Sequence, residues 1–213
     1  GNFTNSDEVQ DIIQWIESED DILYFHAPSG SGKSTDVARV LRDYRFQEDG
    51  VNRPEHKLAY HICIHRSMPF DPNAGAAGLQ SADKAEIVNH PLVFVRDSLF
   101  PQLEKLYGED TFHSWMNPGV YPILMDSAKE ALEYLVINPL VKAGVQPGGQ
   151  PIIVVDGLDF AVESHSEYSI LDLLIDYRDR LTEVARLFVI ANSDVQAVDR
   201  KIRCGLLRQQ DQC

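Results

Sequence analysis

The run Ala27-Pro-Ser-Gly-Ser-Gly-Lys-Ser-Thr35 holds residue types that bind phosphate. It meets the pattern G-x-x-x-x-G-K-[ST], with alanine in place of the first glycine. Gly30 and Gly32 let the backbone curl so that successive N–H groups point inward at an anion, and a helix beginning near Lys33 adds its dipole at the same point. Lys33 has the reach for the β- and γ-phosphates, the Ser34 hydroxyl is a hard oxygen ligand for Mg²⁺, and Thr35 falls near the α-phosphate. Pro28, Ser29, Gly30, Ser31, Gly32, Lys33, Ser34 and Thr35 are therefore the candidate nucleotide-binding residues. The competing interpretation, a glycine-rich connection with a solvent-exposed lysine, fits poorly between an apolar run and a helical stripe.

A magnesium ion held only by phosphate oxygens and one serine lacks a carboxylate. "IIVVD" supplies Asp156 at the end of a buried strand, so Ser34 and Asp156 form the candidate metal set. The plainer role for Asp156 is to open the turn before Gly157. Asp159, three residues on, is placed either to orient an attacking water or to cap the following helix, and spacing alone leaves both open. Asn192, in "IANSD", offers a polar group to a γ-phosphate or a water, which makes Asp159 and Asn192 the candidate catalytic pair. His61, Cys63 and His65 alternate on one strand face, and two imidazoles with a thiolate are zinc-ligating residue types. Consecutive residues on a flat strand suit a tetrahedral site badly, however, so buried, hydrogen-bonded histidines are the favoured interpretation. His26, just before the glycine turn, approaches the same region, but a strand-end histidine is more often structural.

These side chains need a scaffold. Val9, Ile12, Ile13 and Ile16 recur at helical spacing and predict a short amphipathic helix over 6–18. "DILYFHA" (21–27) has strand length, and Val37, Val40, Leu41 and Tyr44 form the stripe of a helix packing on a sheet. Further strands are expected at 56–67, 151–161 and 186–194, with a helix stripe between the last two from Ile170 to Leu181. "PIIVVD" lacks polar alternation, as a parallel strand buried on both faces does. Residues 91–107 and 126–142 predict helices that Pro101 and Pro139 should kink or end. Residues 108–122 are expected to be an irregular insertion, 68–85 a mobile loop, and the charged stretch around 80–90, with Glu163 and Glu167, a solvated face. Apolar strands separated by helices imply a parallel sheet with right-handed crossovers, whose ligands bind beyond the strands' carboxyl ends.

Composition narrows the partners. With 213 residues and 44% hydrophobic content, one α/β domain is expected. Nineteen Lys+Arg against 33 Asp+Glu give a net charge of -14, which disfavours nucleic acid and anionic membrane. Three cysteines at unrelated spacings indicate neither a disulfide framework nor a zinc ribbon, and with no signal peptide or long apolar run the expected location is cytoplasmic. The initial glycine suggests a piece of a longer protein.

The phosphate loop, "IIVVDGLDF" and the lead-in "FTNSDEV…WI" together resemble the STAND class of P-loop NTPases and, within it, the NACHT type. The order of "LAYHICIHRS", "ALEYLVINPLVKAG", "PIIVVDGLDFAVESHSEYSILDLL" and "RLFVIANSD" is similar to the NTPase region of TANC and rolling-pebbles scaffold proteins. The resemblance implies a single P-loop NTPase domain over 1–213, a three-layer α/β sandwich around a mostly parallel sheet. It also implies ATP or ADP with Mg²⁺, slow hydrolysis at most, and nucleotide-controlled assembly with protein partners of the parent scaffold; homo-oligomers are compatible with it. Two departures bear on catalysis. Phe160 stands where the family has a second acidic residue, and "ANSD" (191–194) replaces a sensor ending in arginine. The runner-up is a non-catalytic interaction module with a degenerate site. A small-molecule kinase ranks below both, because the 68–85 segment has no arginine with which to build a lid.

Overall fold

A computed structural model describes residues 7–28, 37, 57–65, 81–146, 149–165, 167–192 and 194–208. Among them, four strands form one parallel sheet in the order β1-β4-β3-β2: β1 is Ile22–Ala27, β2 Leu58–Ile62, β3 Ile152–Asp156 and β4 Arg186–Asn192. β3 is buried at every residue and β4 at all but its last, because both lie inside the sheet with packed layers on either face.

Period-two alternation divides the strand residues between two cores. Ile152, Val154, Phe188 and Ile190 point to one face, where Ile12, Trp15 and Ile16 of the helix Asp7–Glu17 meet them together with Val37. Ile153, Val155, Leu187, Val189 and Ala191 point to the other, larger core, built with the helices of 91–142, 158–182 and 196–206. The result is a three-layer sandwich, and each large side chain buried in it contributes about 1.5–3 kcal/mol over leaving it in water. The helix Asp7–Glu17 has no basic residue in its last turn. Arg186 compensates from β4: its guanidinium donates to the carbonyls of Trp15, Ile16 and Asp20 and lies 4.2 Å from the Trp15 ring centroid.

Several expectations are corrected. Strand 56–67 is shorter, since the ladder with β3 ends at Ile62 opposite Asp156. Residues 81–85 belong to a helix, Ser81–Val88, rather than a mobile loop; 68–80 lie outside the described residues, as do Val40, Leu41 and Tyr44. Residues 109–115 of the expected irregular insertion are helical, because Phe112 is fully buried against Tyr107 and Trp115, an anchor too short for periodicity to reveal. Neither proline ends its helix. A π-helical stretch precedes each, Phe94–Leu99 before Pro101 and Glu133–Ile137 before Pro139, and the wider turn accommodates a ring that lacks an N–H. Cys204 is disulfide-bonded, which the unrelated cysteine spacings did not indicate, while Cys63 is free and buried.

Candidate functional site at the carboxyl edge of the sheet

The strand order determines which candidates meet. β4 lies between β1 and β3, and its last residue, Asn192, pairs with Ala27, where the glycine turn begins. Pro28 follows and is exposed; Ser29, Gly30, Ser31, Gly32, Lys33, Ser34 and Thr35 lie outside the described residues. Val37, three positions after Ser34, is fully buried with Ile152 and Val154 of β3. By strand alternation Asp156 belongs to that same face.

Asp156 is 5% exposed, and its Oδ2 accepts a 2.8 Å hydrogen bond from the Tyr60 hydroxyl. Burial, followed by the Asp156 charge and this hydrogen bond, pushes the Tyr60 pKa well above the usual phenol range, so the hydroxyl stays protonated and donates. The Asp156 carbonyl accepts from Cys63 N–H at 2.8 Å. Gly157 then turns left-handed, φ 75° and ψ 35°, and its N–H reaches the Ile190 carbonyl at 3.0 Å. That turn starts the helix Leu158–Ser164 and swings Asp159 back toward β4. Asp159 is 2% exposed, and its Oδ1 accepts from the Asn192 backbone N–H at 3.1 Å. Asn192 Oδ1 accepts in turn from Asp194 N–H at 3.0 Å.

Asp156, Asp159 and Asn192 therefore gather at one edge, beside the start of the glycine turn, although 33 residues separate Asp159 from Asn192. One oxygen of Asp159 is committed to tying the two strand ends together, and the Asn192 side chain to a local turn. His61, Cys63 and His65, for which zinc ligation was the less favoured interpretation, have separate surroundings. His61 is buried, with Nδ1 3.0 Å from Ser98 Oγ, Cys63 lies beyond the strand end, and the His65 ring meets Phe160 with centroids 5.1 Å apart. Among the described residues no cluster of three His, Cys, Asp or Glu is arranged to hold a metal.

Three parts of the site had no signal in the sequence. Tyr60 is one; the amides of Gln102, on the outer edge of β2, and of Asn89, on the segment just past its end, are the others. Gln102 accepts from Tyr60 N–H and donates to Tyr60 C=O, both at 2.9 Å, while Asn89 does the same for Ile64, also at 2.9 Å. Each amide takes the place of a neighbouring strand, a role that follows only from where a distant helix brings it. Beside β1, Arg203 binds Asp199 at 2.9 Å and approaches His26 Nε2 at 3.0 Å, and Tyr24 donates to Asp199 at 3.0 Å. Burial disfavours ionised Asp199, but the hydrogen bonds from Arg203 and Tyr24 outweigh it and hold the carboxyl below its usual range.

The fold is a three-layer α/β sandwich around a parallel sheet. It matches the structure of the Aeropyrum pernix ORC1 protein in complex with DNA at a TM-score of 0.54 and 17% identity, over 94% of this chain and 42% of that one. At that identity the likeness concerns the fold alone, and the chain spans well under half of its counterpart. Neither a family model nor a curated protein matches the sequence. Among the described residues no helix is long and apolar enough to cross a membrane.

Proposed function

We propose that this chain is the ATP- or ADP-binding switch domain of a larger signalling or scaffold protein of the NACHT-like STAND class, with slow or absent Mg²⁺-dependent hydrolysis. The observation that supports it most is a conjunction. A phosphate-loop sequence leads to a residue, Val37, buried on the sheet face to which Asp156 belongs. Backbone N–H groups of Ser29–Thr35 and the Lys33 ammonium would hold the phosphates. The Ser34 hydroxyl and Asp156 carboxylate are a hard oxygen set that fits magnesium. When bound, that ion offsets the charge shared between the β- and γ-phosphates.

Slow turnover follows from how the remaining groups are used. Asp159 spends one carboxylate oxygen on Asn192 N–H, the Asn192 amide oxygen is engaged by Asp194, and Phe160 brings no charge. Electrostatic stabilisation of the transferring phosphoryl is normally the largest catalytic contribution, so binding should outlast catalysis here. The same facts support the second reading, a protein-interaction module that has lost turnover altogether. The ORC1 counterpart is described with DNA, but a net charge of -14 supports protein rather than nucleic-acid partners for this chain.

The test is a thermal-shift titration of protein stripped of bound nucleotide. ATP or ADP with Mg²⁺ at a hundred times its Kd should add roughly 2.7 kcal/mol of stability, and Lys33→Ala and Ser34→Ala should lose that gain while still unfolding cooperatively. A stripped parent that shows no shift with either nucleotide overturns the proposal.

A further inference from the structure

We propose that Tyr60 is a positioning residue for magnesium, orienting the Asp156 carboxylate through its hydroxyl; this rests on the nucleotide-binding reading above. The hydroxyl donates to Asp156 Oδ2 at 2.8 Å across two neighbouring strands. A packing role alone would be met by phenylalanine, since the half-buried ring joins the apolar cluster of Leu58, Ile152 and Val154. The hydroxyl is desolvated there and is offset by the one partner it reaches.

Both ends of this bond are pinned. The Tyr60 backbone sits in the β2–β3 ladder on one side and is gripped by Gln102 on the other, at 2.9 Å through its N–H and again through its C=O. Asp156 closes β3, and its carbonyl is held by Cys63 N–H at 2.8 Å. With both backbones immobile, the bond sets the carboxylate's rotation. Oδ2 is committed to the hydroxyl, which leaves the other oxygen to the metal, on the sheet face that also carries Val37. A metal that demands near-ideal octahedral geometry gains most from a ligand whose orientation is already set.

The test measures ATP affinity by calorimetry across a Mg²⁺ series and in EDTA, for the parent, Tyr60→Phe, Asp156→Asn and the double variant. Tyr60→Phe should need roughly tenfold more Mg²⁺ for half of the affinity gain, with its metal-free ATP affinity equal to the parent's, as expected for loss of one hydrogen bond to a charged group. Added to Asp156→Asn it should change nothing, because the group it orients is gone. An unchanged or lower Mg²⁺ requirement in Tyr60→Phe, or an equal effect in the Asp156→Asn background, overturns the inference while nucleotide binding stands. A parent whose ATP affinity does not respond to Mg²⁺ overturns the binding reading and this inference together.

Discussion

Gly157→Ala probes the turn that separates Asp156, the metal candidate, from Asp159, the candidate for orienting water. Gly157 sits at φ 75°, where a residue with a Cβ loses about 1–2 kcal/mol. The added Cβ would lie 2.9 Å from the Cys63 carbonyl oxygen and 3.0 Å from the Phe160 ring. The ring can swing away, but the carbonyl belongs to backbone whose N–H is bonded to Asp156, so relief there disturbs the strand end. Local strain of this kind adds on the order of 1–2 kcal/mol, for a total of roughly 2–4 kcal/mol. In a chain of this size each kcal/mol moves the unfolding midpoint by about 2–4 °C, so a fall of roughly 5–15 °C is expected. Gly144→Ala supplies the control. Gly144 has φ 64° with nothing within 4 Å of the added Cβ, so it should lose only the left-handed contribution of about 1–2 kcal/mol. Denaturant unfolding of both variants, fitted with m, measures the difference. Equal losses would refute the claim that the Cys63 carbonyl is immobile.

Asp159→Asn should leave nucleotide affinity near the parent value and lower single-turnover hydrolysis at least tenfold if Asp159 orients water; unchanged turnover would make it a clamp for Asn192 N–H and nothing more. Arg186→Ala removes donors to the Trp15, Ile16 and Asp20 carbonyls and should destabilise by about 3 kcal/mol, read from chemical denaturation. A loss under about 0.5 kcal/mol, the level of an ordinary surface substitution, would show that water replaces the guanidinium. Burial lowers the His61 pKa to about 4, so the folded protein holds it neutral while the unfolded chain protonates it near pH 6.5. Its contribution is complete above about pH 6.5 and is lost as pH falls through about 4, up to roughly 3 kcal/mol. His61→Asn should flatten that slope in pH-dependent melts, and parallel curves for parent and variant would exclude His61 as its source.

Much of the architecture was legible because it depends on local pattern. The unbroken apolar run "IIVVD" could be a strand only if covered on both faces, and β3 is buried throughout. The strand-length run at 21–27 and the stripe of Ile12 and Ile16 likewise announce one strand and one packing helix. The helix at 109–115 escaped notice because a single buried aromatic, Phe112, holds it. The prolines misled because their effect depends on whether the preceding turn can widen, which Phe94–Leu99 and Glu133–Ile137 do.

For the site the division is sharper. The sequence by itself suggested a chemistry, with a phosphate-loop pattern, a carboxylate closing a buried strand and polar residues at strand ends, while leaving turn and cap roles open for Asp156 and Asp159. Only the tertiary structure decided their company. Strand order, which no local pattern encodes, put β4 between β1 and β3, so that Asn192 became the neighbour of Ala27 and the partner of Asp159. It also brought Tyr60 to Asp156 from a strand 96 positions away, and Gln102 to Tyr60 from a helix, because hydrogen-bonding groups left over at a sheet edge are satisfied by whatever the packing delivers there.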